Sequence, residues 1–399
     1  MSSPAASGTT AQFLACAEEI ASRINREAVA TAEGGVRWRI PSAAEEPAGP
    51  HLYAGTSGVA FFLAACHRVL GGDEHKSLAL RALAPIRASL PPPRSEKIGG
   101  FAGLGSLIWA FLHSGLLLED ESLLRDAHAV ATEVTPERIA SDRSLDVLLG
   151  AAGALLALLA LDRVAPVPPA GGLTPLERAC ACAKHLLARR VAHQSLPRAW
   201  AVPGRLPYSG FAHGASGISH ALLRLAERTG DRAWREAADE GLAFERTLYD
   251  PETRNWLDRP GPDGVLLRSW CYGAPGIALG RLGAAPEDAV LRGELRDALA
   301  TTGVLSLTPT DHLCCGNAGR IEILHTASRR LDDRDLLRAS VSLAAGLVRR
   351  AGREGRLRLA SDPADSTFDP GLFKGASGVG YTLLRLARPV SLPCVLILE

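Results

Sequence analysis

A four-residue pattern, glycine-x-x-glycine, returns along the chain, and each time an apolar run follows it. Gly55-Thr-Ser-Gly58 leads into VAFFLAACHRVL, and Gly150-Ala-Ala-Gly153 leads into ALLALLAL. The pattern recurs at Gly214, Gly273, Gly316 and Gly375, and at Gly103 in a variant in which Ser106 takes the place of the second glycine. The seven copies start 43 to 64 residues apart. Glycines ahead of a helix allow close backbone approach and unusual φ/ψ. Amphipathic stretches such as RAWREAADEGLAFERTL and LLRASVSLAAGLVRR lie between the copies, with apolar residues at helical spacing. Each repeat therefore reads as an inner apolar helix and an outer amphipathic one. Almost nothing reads as a period-2 strand. Repeats of unequal length argue against an open solenoid. The expectation is an all-α chain, an α/α barrel (toroid) of seven inner helices preceded by G-x-x-G turns, with those turns gathered at one end around a cavity.

The expected organisation is an N-terminal helix, AQFLACAEEIASRI, and a link over residues 1–48, then the barrel over 49–399. APVPPAGGLTP and SLPRAWAVPGRLPYSG, in the longest interval, read as loops.

Bulk properties narrow the function. Lys+Arg is 44 against Asp+Glu 43, a net charge of +1, which argues against nucleic acid or an acidic membrane as the main partner. The longest apolar stretch, Val147 to Leu161, is too short and too rich in Ala and Gly for a membrane span. The opening MSSPAASGTTAQF lacks the regions of a secretory signal. Eight cysteines without framework spacing fit a reducing compartment. A cytoplasmic protein is expected.

Three turns carry chemistry. His213 stands directly before Gly214, Cys271 two residues before Gly273, and Cys314-Cys315 directly before Gly316. In a ring of helices such positions converge. Three thiolates suit Zn²⁺ and leave a fourth position open, the pattern of catalytic zinc. The competing reading is three buried apolar thiols. Cys16, Cys66, Cys180, Cys182 and Cys394 keep that structural reading. With three sulfur candidates for the metal, His213 is left for proton transfer. Asp146, four residues before Gly150, either faces the same cavity or is a helix N-terminal surface residue; the spacing leaves both open.

GFAHGASGI, SWCYGAPGI and LCCGNAGR, in this order, resemble the lanthionine cyclase (LanC-like) family. The resemblance runs from about Leu52 to the end. It implies an α/α toroid that binds one zinc and closes thioether rings by adding peptide Cys thiolates to dehydroalanine or dehydrobutyrine. It assigns Cys271, Cys314 and Cys315 to the metal. The third ligand is commonly histidine in the family, and a three-cysteine set resembles a subset of class II cyclases with relaxed substrate choice. It assigns His213 as acid/base and Asp146 as the cavity aspartate, and gives Arg268 as an approximate counterpart of an arginine ahead of the Trp-Cys motif. HLYAGTSGVAFFLA and SLPCVLILE are more similar to the cyclase domain of class II lanthipeptide synthetases. Those carry a dehydratase domain, so a separate dehydratase, or a missing dehydratase domain, is expected alongside a dehydrated precursor peptide with its leader. The alternatives are a LanC-like protein that adds glutathione to dehydrated residues, a non-catalytic zinc-containing peptide scaffold, and a toroidal glycosidase. The last needs paired carboxylates, for which only Asp146, Asp258 and Asp369 stand near the turns.

Overall fold

The computed structural model describes all residues except 1–3, 33, 44–47, 94–96, 169–171, 285–287, 305, 363 and 389–391. Part of the expected N-terminal link and part of the loop APVPPAGGLTP therefore lie outside the described residues. The chain is helical. Its elements are α1 (Pro4–Arg26), α2 (Thr56–Leu70), α3 (Asp73–Ala88), α4 (Leu104–Leu118), α5 (Glu121–Thr132), α6 (Pro136–Ser141), α7 (Ala151–Val164) and α8 (Pro175–Ala188). They continue with α9 (Ala215–Thr229), α10 (Arg232–Arg246), α11 (Ala274–Gly283), α12 (Ala289–Thr302), α13 (Asn317–Leu331), α14 (Arg334–Glu354) and α15 (Ala376–Ala387). Three antiparallel hairpins with strands of two residues each are the sheet content among the described residues. No helix among those residues is long and apolar enough to cross a membrane.

Seven helices, α2, α4, α7, α9, α11, α13 and α15, begin immediately after the first glycine of a repeat. They are the buried ones: every residue of α7 from Ala151 to Asp162, and of α13 from Asn317 to Ser328, is buried. The helices between them bury one stripe. In α10 the buried residues are Trp234, Ala237, Ala238, Gly241, Leu242, Phe244 and Glu245. Burying a large apolar side chain contributes roughly 1.5–3 kcal/mol, so such a stripe decides which face meets the inner helix.

The chain forms two compact units. One consists of Met1–Pro91, Ala110–Asp126 and Leu305–Cys394. In it α3 packs on α2, α14 on α13, and α1 along α15. The N-terminal helix thus serves as the outer partner of the last inner helix. Gly380 has no side chain to hold Ile20 and Phe62 away from α15. The link after α1 is fastened by Trp38 Nε1 donating to Ile24 O (2.7 Å) and Ser42 N donating to Asp369 Oδ2 (2.8 Å). The other unit consists of Pro92–Trp109, Ala127–Val304 and Val395–Glu399. In it α7, α9 and α11 follow one another, backed by α8, α10 and α12.

The glycines have one dominant physical cause. A helix start leaves backbone N–H groups without intrahelical partners, and these glycine N-caps supply no side chain. The loop supplies a carbonyl instead. The first N–H groups of α2, α4, α9, α13 and α15 donate to the carbonyls of Gly49, Lys97, Tyr208, Thr310 and Asp369, each seven residues upstream. A Cβ on the second glycine would then strike the same returning loop, 1.9 Å from Phe211 O at Gly217 and 2.0 Å from Leu313 O at Gly319. Unusual backbone angles, the other reason glycine is used, apply among the first glycines only at Gly103 (φ 149°) and Gly273 (φ 77°).

Candidate active site and metal centre

The two starts that lack an upstream carbonyl use side chains, and both belong to turns with site residues. Ala151 N donates to Asp142 Oδ2 (2.9 Å), and Ala274 N to Asn255 Oδ1 (2.7 Å). Asp142 also accepts from Ser144 N and Leu145 N, so one carboxylate ties down the turn that carries Asp146. Asn255 Nδ2 donates to Leu267 O (3.0 Å), closing the loop that carries Cys271.

Asp146 is buried, 5% exposed. Its Oδ1 accepts from Leu149 N (2.7 Å) and its Oδ2 faces His213 Nδ1 at 2.9 Å. Asp146 thus lies buried beside His213 and not at the surface. The half-buried His213 ring stacks on Tyr272, with centroids 5.8 Å apart and planes at 27°. Burial pushes the Tyr272 phenol up, which keeps it protonated. Tyr208 lies beyond it, 5.9 Å from Tyr272.

A buried carboxylate braces the His213 turn from behind. Glu245 is fully buried, and its Oε1 accepts from Gly210 N and Ser216 N, both at 2.8 Å. Its Oε2 accepts from Ser216 Oγ (2.5 Å) and Arg281 Nη1 (2.7 Å). Arg281 reaches on to Glu294 Oε2 (2.7 Å).

Cys314 and Cys315 end the loop before α13, with their sulfurs 3.3 Å apart. Tyr53 Oη, from the turn before α2, donates to Cys314 Sγ at 3.0 Å, and its ring stacks on Phe373. His312 Nδ1 accepts from Cys315 N (3.3 Å), and burial holds this imidazole below its ordinary pKa, in the neutral form that can accept. Among the described residues, the sulfurs of Cys271, Cys314 and Cys315 lie within 4.8 Å of one another and form a cluster that could hold a metal ion. The set fits zinc. Thiolates at about 2.3 Å from a tetrahedral ion stand about 3.8 Å apart. Cys271 and Cys314 are buried while Cys315 is exposed.

Arg268 stands apart. It is exposed in the loop before Ser269 and makes no hydrogen bond or ion pair with the other five residues among the described residues. Burial raises the Cys16 thiol to about 11 and drives Cys66 and Cys182 well up, as for inert core thiols. Sequence reasoning does not reach Tyr53, Glu245 or Asn255, and it leaves His312, beside the Cys314-Cys315 turn, with a core or solvated role. Tyr53 carried a signal, since it lies two residues before Gly55, the offset Cys271 and Cys314 have from their own glycines.

Paired helices led by glycine turns, with thiols and a His–Asp pair on those turns, define an all-α protein of the α/α-barrel class. The chain belongs to the family of lanthionine synthetase C-like proteins, whose model matches residues 46–397. Among solved structures it is similar to nisin cyclase, at 16% identity and a TM-score of 0.59, covering 87% of this chain and 92% of that one. It is also similar to a protein from Listeria innocua, at 14% identity and a TM-score of 0.50, covering 71% of this chain and 83% of that one. At such identities the likeness shows the fold alone: the α/α barrel that the seven turns imply.

Proposed function

We propose that this chain is a zinc-dependent lanthipeptide cyclase. It would add the thiolate of a peptide cysteine to the β-carbon of a dehydroalanine or dehydrobutyrine in the same peptide. The observation that carries this reading is the coincidence of family membership with a three-thiol cluster on the glycine turns. Cys271, Cys314 and Cys315 are the residues that would hold the ion. Bound there, zinc would supply deprotonation of the substrate thiol, whose free form titrates near pKa ~8.5.

The protein's own groups account for the rest. As the S–Cβ bond forms, the alkene π pair moves onto Cα and its carbonyl, and Cα must then take a proton. His213 is the group for that transfer. Its Nδ1 is engaged by Asp146, which leaves Nε2 to hold or give the proton. Tyr272 fixes the ring plane by stacking. The product has the mass of the reactant. Arg268 has only the sequence resemblance behind it as a third catalytic residue. A dehydrated precursor peptide with its leader is the proposed partner, and a separate dehydratase its source.

The glycosidase reading loses support in the geometry. Asp369 commits both oxygens to backbone N–H groups, and Asp258 Oδ1 accepts from Val265 N. The test of the cyclase reading is zinc content together with the mass and thiol count of a dehydrated cysteine peptide after incubation. Zinc near one per chain, with thiols lost at constant mass, is expected. A mass gain by glutathione selects thiol addition from solution instead. Bound zinc with untouched thiols selects the scaffold.

A further inference from the structure

A cleft of about 330 Å³ opens beside the Asp146 turn. Its walls are Asp142, Arg143 and Leu145, then Arg189 with Val191, Ala192 and His193, and the loop from Ala201 to Pro207. That size admits two or three side chains of a larger ligand. Two of its wall segments lead along the chain to candidate site residues. Leu145 precedes Asp146, with its backbone in the left-handed region (φ 64°) and its N–H held by Asp142. Pro207 begins the short run through Tyr208 and Gly210 to His213.

Its charge is one-sided. Arg143 donates only to the carbonyls of Ala140 and Asp142. The side chains of Arg189, Arg205 and His193 make no hydrogen bond or ion pair with any described residue. Neighbouring arginines are neutralised: Arg190 and Arg198 both pair with Glu240. Asp142, the one acid in the wall, turns its oxygens onto the backbone of the Asp146 turn. In a chain of net charge +1, this is a concentration of uncompensated cations. Between them lie exposed apolar groups, Val191 at 40% and Val202 at 36%. Pro203 and Pro207 stiffen the wall, which limits the ordering needed on binding.

We infer that this cleft binds an acidic peptide segment with interleaved apolar side chains, part of the peptide whose cysteine reacts at the neighbouring site. The carboxylates meet Arg143, Arg189 and Arg205, and the apolar residues cover Val191 and Val202. The inference rests on the cyclase reading for the origin of the peptide but not for the binding itself.

The test uses the whole chain and a fluorescein-labelled dodecapeptide repeating Glu-Leu-Ser, with a Gln-Leu-Ser peptide as its uncharged counterpart. Neither contains a thiol or a dehydrated residue, so binding is read apart from catalysis. Fluorescence anisotropy should show the Glu peptide binding at least about tenfold more tightly than the Gln peptide, with the difference shrinking at high salt. The R189Q/R205Q double variant should lose about tenfold for the Glu peptide. Its melting temperature should not change, because neither side chain holds the fold together. The control R349Q/R353Q removes the same charge from α14 and should bind as the unmodified chain does. Equal loss in the control, equal binding of the two peptides, or displacement of the Glu peptide by inorganic phosphate at matched charge would each overturn the inference. Binding that survives in a chain shown not to cyclise would leave the cleft standing and remove only the cyclase reading.

Discussion

His213 Nδ1 and Asp146 Oδ2 face each other at 2.9 Å across two turns that are 67 residues apart in sequence. The aspartate is buried and the histidine half-buried, so the pair is anchored on one side and open on the other. Asp146→Asn offers the ring an amide in place of a carboxylate and favours the wrong tautomer. His213→Ala removes the proton carrier altogether. The histidine variant should lose about 10²–10⁴-fold in ring closure, and the asparagine variant about 10-fold or more. Both should retain zinc, measured by elemental analysis. Zinc lost from the His213 variant would make that residue a ligand instead.

Cys315 is the exposed member of the thiol cluster. A third thiolate in place of a neutral imidazole adds one negative charge to a zinc site, which leaves more electron density on a bound substrate sulfur. Cys315→His should therefore keep the metal while slowing closure of the most sluggish rings. Cys314→Ala should lose the metal. Time courses by mass spectrometry of thiol-alkylated peptide check the first, and zinc content the second. Equal or faster closure by Cys315→His on several peptides would refute the charge argument.

The seven glycine turns were legible because their cause is local. Gly217 must be glycine on account of a carbonyl six residues earlier, and such a requirement writes itself into sequence at fixed spacing. The same regularity pointed to His213 and Cys271, since equivalent positions in equivalent turns do equivalent things. What was not legible is non-local. Glu245 lies in an amphipathic helix and reads as a solvated acid, yet it is buried against Arg281, 36 residues on. The packing of α1 along α15 joins the two ends of the helical sequence without any shared motif. The hairpins were invisible because two residues per strand cannot display a period of two.

Two glycine-to-alanine substitutions should act in opposite directions. At Gly217 the added Cβ would sit 1.9 Å from Phe211 O, with Val147 closing the other side. The loop bearing His213 must shift or the helix start must open, and a loss of about 1–3 kcal/mol is expected. At Gly293, inside α12, nothing lies within 4 Å of the added Cβ. There the alanine should stabilise by about 0.5–1 kcal/mol, through helix propensity and a less flexible unfolded chain. Denaturant titrations of the two variants make the comparison.

Glu245 and Arg281 are both fully shielded from solvent. Removing Glu245 leaves Arg281 paired with Glu294 alone and unmakes the hydrogen bonds to the His213 turn, a loss of about 1–3 kcal/mol. Glu245→Gln should cost at the lower end, because the amide oxygen can still accept from Gly210 N and Ser216 N. Glu245→Leu should cost at the upper end and also impair catalysis by releasing the His213 turn. Equilibrium unfolding together with ring-closure rates separates the two effects: full activity in a destabilised Glu245→Leu chain would mean that the brace does not position His213.

His325 lies on α13, 6% exposed, and burial followed by the charge of Arg329 lowers its pKa from the usual 6.5 to about 4. The sign of the linkage follows. Between these values the unfolded chain binds a proton that the folded chain refuses. Stability from this group is fully present above about pH 6.5 and is lost as the pH falls toward 4. The depression corresponds to roughly 3 kcal/mol at most. Replacing His325 with leucine, which fills a similar space without a titrating group, should flatten the stability profile between pH 6.5 and 4 and leave it unchanged above neutrality. Unfolding free energies of the two chains across that range check it. An unaltered acid slope in His325→Leu would assign the loss to other groups, with buried His128 and half-buried His185, whose pKa values are also lowered by burial, the next to substitute.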